Sequence, residues 1–158
     1  MAATAPRLSI VLPVYNEGEN ITAVLLGIDG QVRTRPIEVL VVYDFEEDNT
    51  LPVLHRLQAT LPYVRPHRNR LGRGVINAIK AGFGAATAPF VLVMMADGSD
   101  EPEVFVRMLT AAERGADVVA GSRYMRCGGQ IGGPPLKRTL SRAAGLSLHH
   151  LAGVGTHD

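Results

Sequence analysis

An apolar run from Val91 to Ala96 stops abruptly at Asp97, with Ser99 and Asp100 close behind and Pro102 placed to open a helix. Carboxylates at the carboxyl end of a buried strand lie where open α/β sheets hold their ligands. Hard divalent cations such as Mg²⁺ take oxygen donors, often one or two carboxylates completed by phosphates and water. A second apolar run, Ile37 to Val42, also ends in acid, at Tyr43-Asp44. Two acidic strand ends suit a nucleoside diphosphate with its metal, which would stabilise the diphosphate as a leaving group. Ser99 and Asp100 then stand as direct or water-mediated ligands beside Asp97. A plainer chemistry fits the same residues, because Ser and Asp just before a helix are common caps. Asp44 equally suits a solvated turn, and Glu46, Glu47 and Asp48 read as solvated.

The elements that must position these residues follow from periodicity. Leu8 to Val14 reads as a first buried strand, ended by Pro13, and a helix follows with Ile21, Val24, Leu25 and Ile28 at helical spacing. After the strand at 37–42, a helix carries Leu51, Leu54, Leu57 and Leu61 and is closed by Pro62. Tyr63 to His67 is a short third strand, and a helix runs through Ile76, Ile79, Phe83 and Ala86, with Gly74, Gly82 and Gly84 suited to close packing. Phe90 to Ala96 is the fourth strand. Glu103 to Arg114 is a helix with Val104, Phe105, Met108, Leu109 and Ala112 inward, and Ala116 to Gly121 is a fifth strand. Strands alternating with helices of this length imply right-handed crossovers and a mainly parallel sheet. From Ser122 to Pro135 glycines and prolines mark a loop, and a last helix from Leu136 to about Leu151 places Leu136, Leu140, Ala143, Ala144 and Leu151 on one face.

The chain has 158 residues, 46% hydrophobic and 20% charged, which fits one soluble domain with a real core. Its net charge is +1, but the charge is uneven: no acidic residue lies between Asp117 and Asp158, where Arg123, Arg126, Lys137, Arg138 and Arg142 stand. That segment suits an anionic partner. The single cysteine, Cys127, allows no internal disulfide and favours a reducing compartment. No apolar run approaches the roughly 20 residues of a spanning helix, and the N-terminus lacks a signal peptide's apolar core. His149, His150 and His157 form no metal site, since adjacent histidines on a helix point apart.

Taken together, the motifs resemble a family 2, GT-A-type glycosyltransferase of the dolichol-phosphate (polyprenyl-phosphate) mannosyltransferase group. Leu8 to Asn20 resembles that family's opening strand and nucleotide-contacting loop. Val41-Val-Tyr-Asp44 with Asp48-Asn-Thr50 resembles its V-V-D-D-G-S-x-D-G-T segment. Asn69 to Gly74, leading to Ala78 and Gly82, resembles its glycine-bearing helix start, and Gly121-Ser-Arg-Tyr124 its G-S-R-Y segment. The resemblance implies a single GT-A domain, a Rossmann-like, mainly parallel sheet flanked by helices, over 1–158, with a mobile acceptor loop at 123–135. It implies inverting transfer of a mannose- or glucose-like sugar from GDP-mannose or a UDP-sugar to a polyprenyl phosphate. Pro13, Tyr15 and Glu17 would hold the nucleotide, with Asp44 near its base or ribose. Asp97 would be the D-x-D ligand to Mg²⁺ or Mn²⁺, with Ser99 and Asp100 beside it. Arg123 and Arg138 would bind phosphates, as guanidinium does well. The expected setting is cytoplasmic, at the cytoplasmic face of a membrane, with peripheral membrane contact and no nucleic-acid partner.

The chain departs from the family pattern at four points. Met95 stands at the first aspartate of D-x-D, and Tyr43 at the first of the D-D pair. Phe45 and Glu46 replace the following glycine and serine. The ending Thr156-His-Asp158 resembles the start of a later segment, which implies a catalytic domain cut short. Two other readings follow: a nucleotide-sugar-binding module without activity, and a transferase acting on a saccharide.

Overall fold

The computed structural model describes residues 5–100 and 102–122, together with 139, 140, 143–145, 147 and 150. Two compact units divide the chain after Glu113, and the first contains every strand among the described residues.

In the first unit β1 (Leu8–Pro13), β2 (Ile37–Tyr43), β3 (Val64–Arg68) and β4 (Phe90–Val93) form a parallel sheet in the order β3-β2-β1-β4. The β1 register sets Ile10 against Val39 on one side and Leu92 on the other. Near-continuous burial along β1 and β2 is what a parallel strand covered on both faces requires. Helices α1 (Asn20–Gln31), α2 (Thr50–Leu57) and α4 (Pro102–Glu113) lie on one face, where Ile21, Leu25, Ile28, Leu54 and Phe105 join Ile10, Leu12, Val39 and Val41 in the main core. Each such fully buried aliphatic side chain contributes about 2 kcal/mol.

Among the described residues helix α3 (Val75–Ala85) covers the opposite face, and it does so with its small residues. Ala78 and Ala81 pack on Val11, Leu40 and Val42, and a side chain at Gly82 would overlap Val11. The close approach turns the larger residues outward: Ile76 is 62% and Phe83 52% exposed. Of the three glycines expected to serve packing, only Gly82 does. Gly74 instead takes a φ of +118° at the helix entrance, and a side chain at Gly84 would meet open space.

A buried carboxylate fixes the far end of α3. Glu38 in β2 accepts hydrogen bonds from Ser9 Oγ (2.6 Å) and from both Thr87 N–H and Thr87 Oγ1 (2.7 Å each), and pairs with Arg65. Burial pushes its pKa up, but these donors outweigh that and hold it below the ordinary carboxylate value.

Several expectations are corrected. The fourth strand ends at Val93, three residues short of Ala96, although Met94 N–H still reaches Val11 O. The helix expected to run to Pro62 ends at Leu57. The expected fifth strand at 116–121 is not one: Gly115 turns the chain with a φ of +101°, and 116–122 pair with no strand among the described residues. Val118, 86% exposed, shows that apolar content alone does not make a strand. Helical residues of the expected last helix are seen at 139–140, 143–145, 147 and 150, and its Leu140, Ala143 and Ala144 are exposed.

Candidate active site

The order β3-β2-β1-β4 places a topological switch point between β1 and β4. From β1 the chain steps outward through β2 to β3, then returns to the other side of β1, so the connections leaving β1 and β4 diverge. A crevice outside the carboxyl ends of those strands is the ordinary ligand position in such sheets. Pro13, Tyr15 and Glu17 leave β1 on one side of it, and Asp97, Ser99 and Asp100 follow β4 on the other. Pro13 is buried in the sheet, whereas Tyr15 is 65% exposed.

The loop after β1 is held by the loop after β2. Asn16 takes a φ of +53°, and its N–H donates to Asp48 Oδ2 (3.1 Å). The other oxygen of Asp48 accepts the N–H of Thr50 (2.9 Å), the first residue of α2. Glu17 N–H donates to Thr50 Oγ1 (3.0 Å), and Asn16 Oδ1 accepts from Asn49 N–H (3.3 Å). Asp48 is only 1% exposed, so its reading as a solvated acid is overturned. It serves as an anionic brace at a helix start, where the backbone offers unpaired N–H groups.

Asp44 is likewise engaged. Asn69 Nδ2 donates to its Oδ1 (2.7 Å), and Gly74 N–H donates to its Oδ2 (2.8 Å). Asn69, itself buried, also donates to Gly72 O and accepts from Leu71 N–H, which shapes the connection from β3 to α3. A solvated turn therefore does not describe Asp44. Phe45, beside it, meets Tyr15 edge-on at 5.5 Å between centroids, and the Arg73 guanidinium lies 5.2 Å over the Phe45 ring. Three loops meet in this contact. Tyr43 packs beside the core; burial, then the charge of Glu46, push its hydroxyl pKa up.

The turn after β4 is built differently. Asp97 is exposed, and its Oδ1 accepts Ser99 N–H (3.0 Å) across Gly98, which has a φ of +72°. Hydrogen bonds from the Ser99 hydroxyl and then from its N–H hold the Asp97 pKa below the usual value. Asp100 Oδ2 accepts Met95 N–H (3.0 Å), tying the turn back to the strand. Met95 itself is 41% exposed, so the side chain at the expected first acid of the D-x-D pair faces solvent.

Among the described residues no three His, Cys, Asp or Glu side chains are grouped to hold a metal ion by themselves. The donor set nonetheless fits one cation class. Asp97 is a persistently ionised, accessible carboxylate with a hydroxyl and a second carboxylate in the same turn, an all-oxygen set. Such a set suits Mg²⁺ or Mn²⁺ completed by a diphosphate and water. Arg123 and Arg138 lie outside the described residues. Asn69, Asp48, Phe45 and Arg73 are parts of this edge that sequence reasoning misses. Asp48 carries a readable signal, standing two residues before the first residue of a helix.

Comparison with known proteins gives a consistent set of relatives. The family model described as Glycosyl transferase family 2 matches residues 9–153. A dolichol-phosphate mannosyltransferase of Pyrococcus furiosus is 30% identical over 146 residues, covering 92% of this chain and 41% of the relative. A polyprenol monophosphomannose synthase of Mycolicibacterium smegmatis is 36% identical over 161 residues, covering 96% and 58%. The chain thus spans about half the length of the curated relatives it matches. Among solved structures, a mannosyltransferase from Pyrobaculum calidifontis in complex with GDP-Man and Mn²⁺ superposes with a TM-score of 0.53 at 28% identity, over 60% of this chain and 28% of that one. A glucosyl-3-phosphoglycerate synthase from Mycobacterium tuberculosis in complex with UDP shares the fold at 18% identity, with a TM-score of 0.58 over 94% of this chain and 51% of its own.

Proposed function

This chain belongs to glycosyl transferase family 2 and has a GT-A fold, a four-stranded parallel sheet flanked by helices; on that premise we propose that it transfers a hexose from a nucleoside-diphosphate sugar to a polyprenyl phosphate. The observation that carries the reading is Asp97, an exposed, low-pKa carboxylate delivered by β4 to the switch point opposite Tyr15.

The donor nucleotide lies over the carboxyl edge, held by Pro13, Tyr15 and Glu17, with Asp44 toward its base or ribose. Asp97, with Ser99 and Asp100, would hold a Mg²⁺ or Mn²⁺ ion. When bound, that ion supplies positive charge that stabilises the departing diphosphate. An oxygen of the acceptor phosphate attacks the anomeric carbon from the face opposite the leaving group. The bond to the nucleoside diphosphate breaks, its electron pair leaves with the diphosphate, and the configuration inverts. The acceptor oxygen is already ionised, so no strong base is required. Residues therefore act by positioning and by charge complementarity. Arg123 and Arg138 are assigned to phosphates of acceptor or donor. The names of the two mannosyl-transferring relatives support this acceptor class and a mannose-like sugar. Among the described residues no helix is long and apolar enough to cross a membrane, and work at the cytoplasmic membrane face is part of the proposal.

One observation favours a second reading. The exposed Met95 leaves the turn short of a carboxylate, as expected of a module that binds a nucleotide sugar without turning it over. Calorimetry of GDP-mannose, UDP-glucose and UDP-GlcNAc with and without Mn²⁺ tests both. Metal-dependent binding of one donor, with transfer to a polyprenyl phosphate, is the expected result. Metal-dependent binding without transfer to a polyprenyl phosphate or a saccharide, in this chain and in a longer one alike, selects the module, whereas transfer restored by the longer chain keeps the enzyme. Transfer to a saccharide alone replaces the acceptor, and failure to bind any donor overturns all three readings.

A further inference from the structure

From Asn49 to Ala96 the sequence holds no acidic residue, while Arg56, Arg65, Arg68, Arg70, Arg73 and Lys80 all fall within it. Three of these cations are neutralised: Arg56 by Glu19, Arg65 by Glu38 and Arg68 by Glu46. Arg70, Arg73 and Lys80 are exposed and form no ion pair among the described residues. Lys80 lies on α3, the helix that turns its small side to the sheet; Arg70 and Arg73 precede it, and Arg73 is turned toward the Phe45 ring. The outward side of α3 carries Val75, Ile76 and Phe83, and Leu71 precedes it, each between 47% and 62% exposed. At 100° per residue, Ile76, Lys80 and Phe83 fall within about 60° of one another, on the pole opposite Ala78 and Ala81.

Large apolar side chains beside Lys80 on one helix face, with the exposed Arg70 and Leu71 in the loop that leads into it, are the pattern of a surface seated in a membrane interface. The occupant follows from shape and charge. A helix flank standing out from a sheet offers no groove to a peptide. A second copy meeting it across a two-fold axis would bring like charges together. Nucleic acid would use the cations but leave Ile76 and Phe83 in water. A bilayer with anionic headgroups uses both. We infer that the outward face of α3, centred on Ile76, Lys80 and Phe83, is a docking surface for an anionic lipid bilayer.

This face is separate from the acidic turn after β4 and does not depend on donor chemistry. It begins at Gly74, whose N–H bonds Asp44, so the docked bilayer would meet the protein beside the edge on which the crevice opens. The long side chains at 76 and 83 contribute little to the core, so their replacement leaves the fold intact.

The test is co-sedimentation of the full chain with vesicles of phosphatidylcholine, with and without phosphatidylglycerol. Wild type is expected to bind the anionic vesicles strongly and the neutral ones weakly. Ile76→Glu/Phe83→Glu should lose at least tenfold in affinity for the anionic vesicles, and Lys80→Glu several-fold. Metal-dependent nucleotide binding in solution should be unchanged in each, so failure of the donor reading would not touch this result. Should the double variant fail to fold, Lys80→Glu and Arg70→Glu carry the test alone. Vesicle binding that survives these substitutions, absence of binding by wild type, or a wild-type dimer split by Ile76→Glu/Phe83→Glu would each overturn the inference.

Discussion

Two strands of this sheet end in acid, and the two ends do different work. After β2 the carboxylates hold neighbouring loops: Asp48 takes the N–H groups of Asn16 and Thr50, and Asp44, on the donor side of the edge, takes Gly74 N–H and the Asn69 side-chain amide. After β4 Asp97 stands exposed, and among the described residues its donors lie within its own turn, chiefly Ser99 two residues on. A buried carboxylate with several donors, as Asp48 is, is architecture, because losing it strands backbone N–H groups. An exposed, ionised one at a switch point is free for a ligand. Similar residue types, at equivalent ends of parallel strands, are separated by burial and by who donates to them.

The comparison is broken most severely at Asp48. Asp48→Ala leaves the N–H groups of Asn16 and Thr50 without their acceptor, and should cost about 3 kcal/mol of stability, read from urea denaturation. A loss near zero would mean that Asp48 is not the brace. Asp44→Asn keeps the shape but sets an amide against two donors, so a cost of about 1–2 kcal/mol is expected, with donor binding weakened as well. Full stability with lost binding would move Asp44 from architecture to ligand.

A smaller effect sharpens the other side. The folded pKa of Asp97 is depressed, so the carboxylate stays charged below the ordinary range near 4. The stability it contributes is present above its unfolded pKa and is lost as pH falls through the folded value. Because Asp97 is exposed, that contribution is small, and the signature to seek is ligand binding. As far as Asp97 is concerned, metal-dependent nucleotide affinity should be flat from neutral pH down to about 5, roughly a unit above the ordinary carboxylate value. Loss centred near pH 6, closer to the ordinary histidine value, would point to another group.

The sequence shows the sheet well because buried parallel strands are apolar runs, and β1 and β2 read almost to the residue. The outward turn of Ile76 and Phe83 is hidden, since an apolar helical stripe is normally the core side. Only the overlap awaiting a side chain at Gly82 against Val11 makes the small face the buried one. Asp48 is hidden inside an acidic run that looks solvated, and its burial depends on Asn16, 32 residues earlier. The bond from Met95 N–H to Asp100 is equally unreadable, because it depends on how the turn after Val93 closes. Asp97 is legible because an apolar run that stops on an acid marks a strand end in any parallel sheet.

The central claim rests on Asp97, and calorimetric titration of Asp97→Asn with the nucleotide sugar that wild type binds, with and without Mn²⁺, tests it most directly. The account predicts a folded variant, unchanged in urea denaturation within about 0.5 kcal/mol, that has lost the Mn²⁺-dependent part of donor affinity. A folded variant that binds the donor with the wild-type Mn²⁺ dependence would contradict it and reduce Asp97 to the residue that shapes the turn around Gly98.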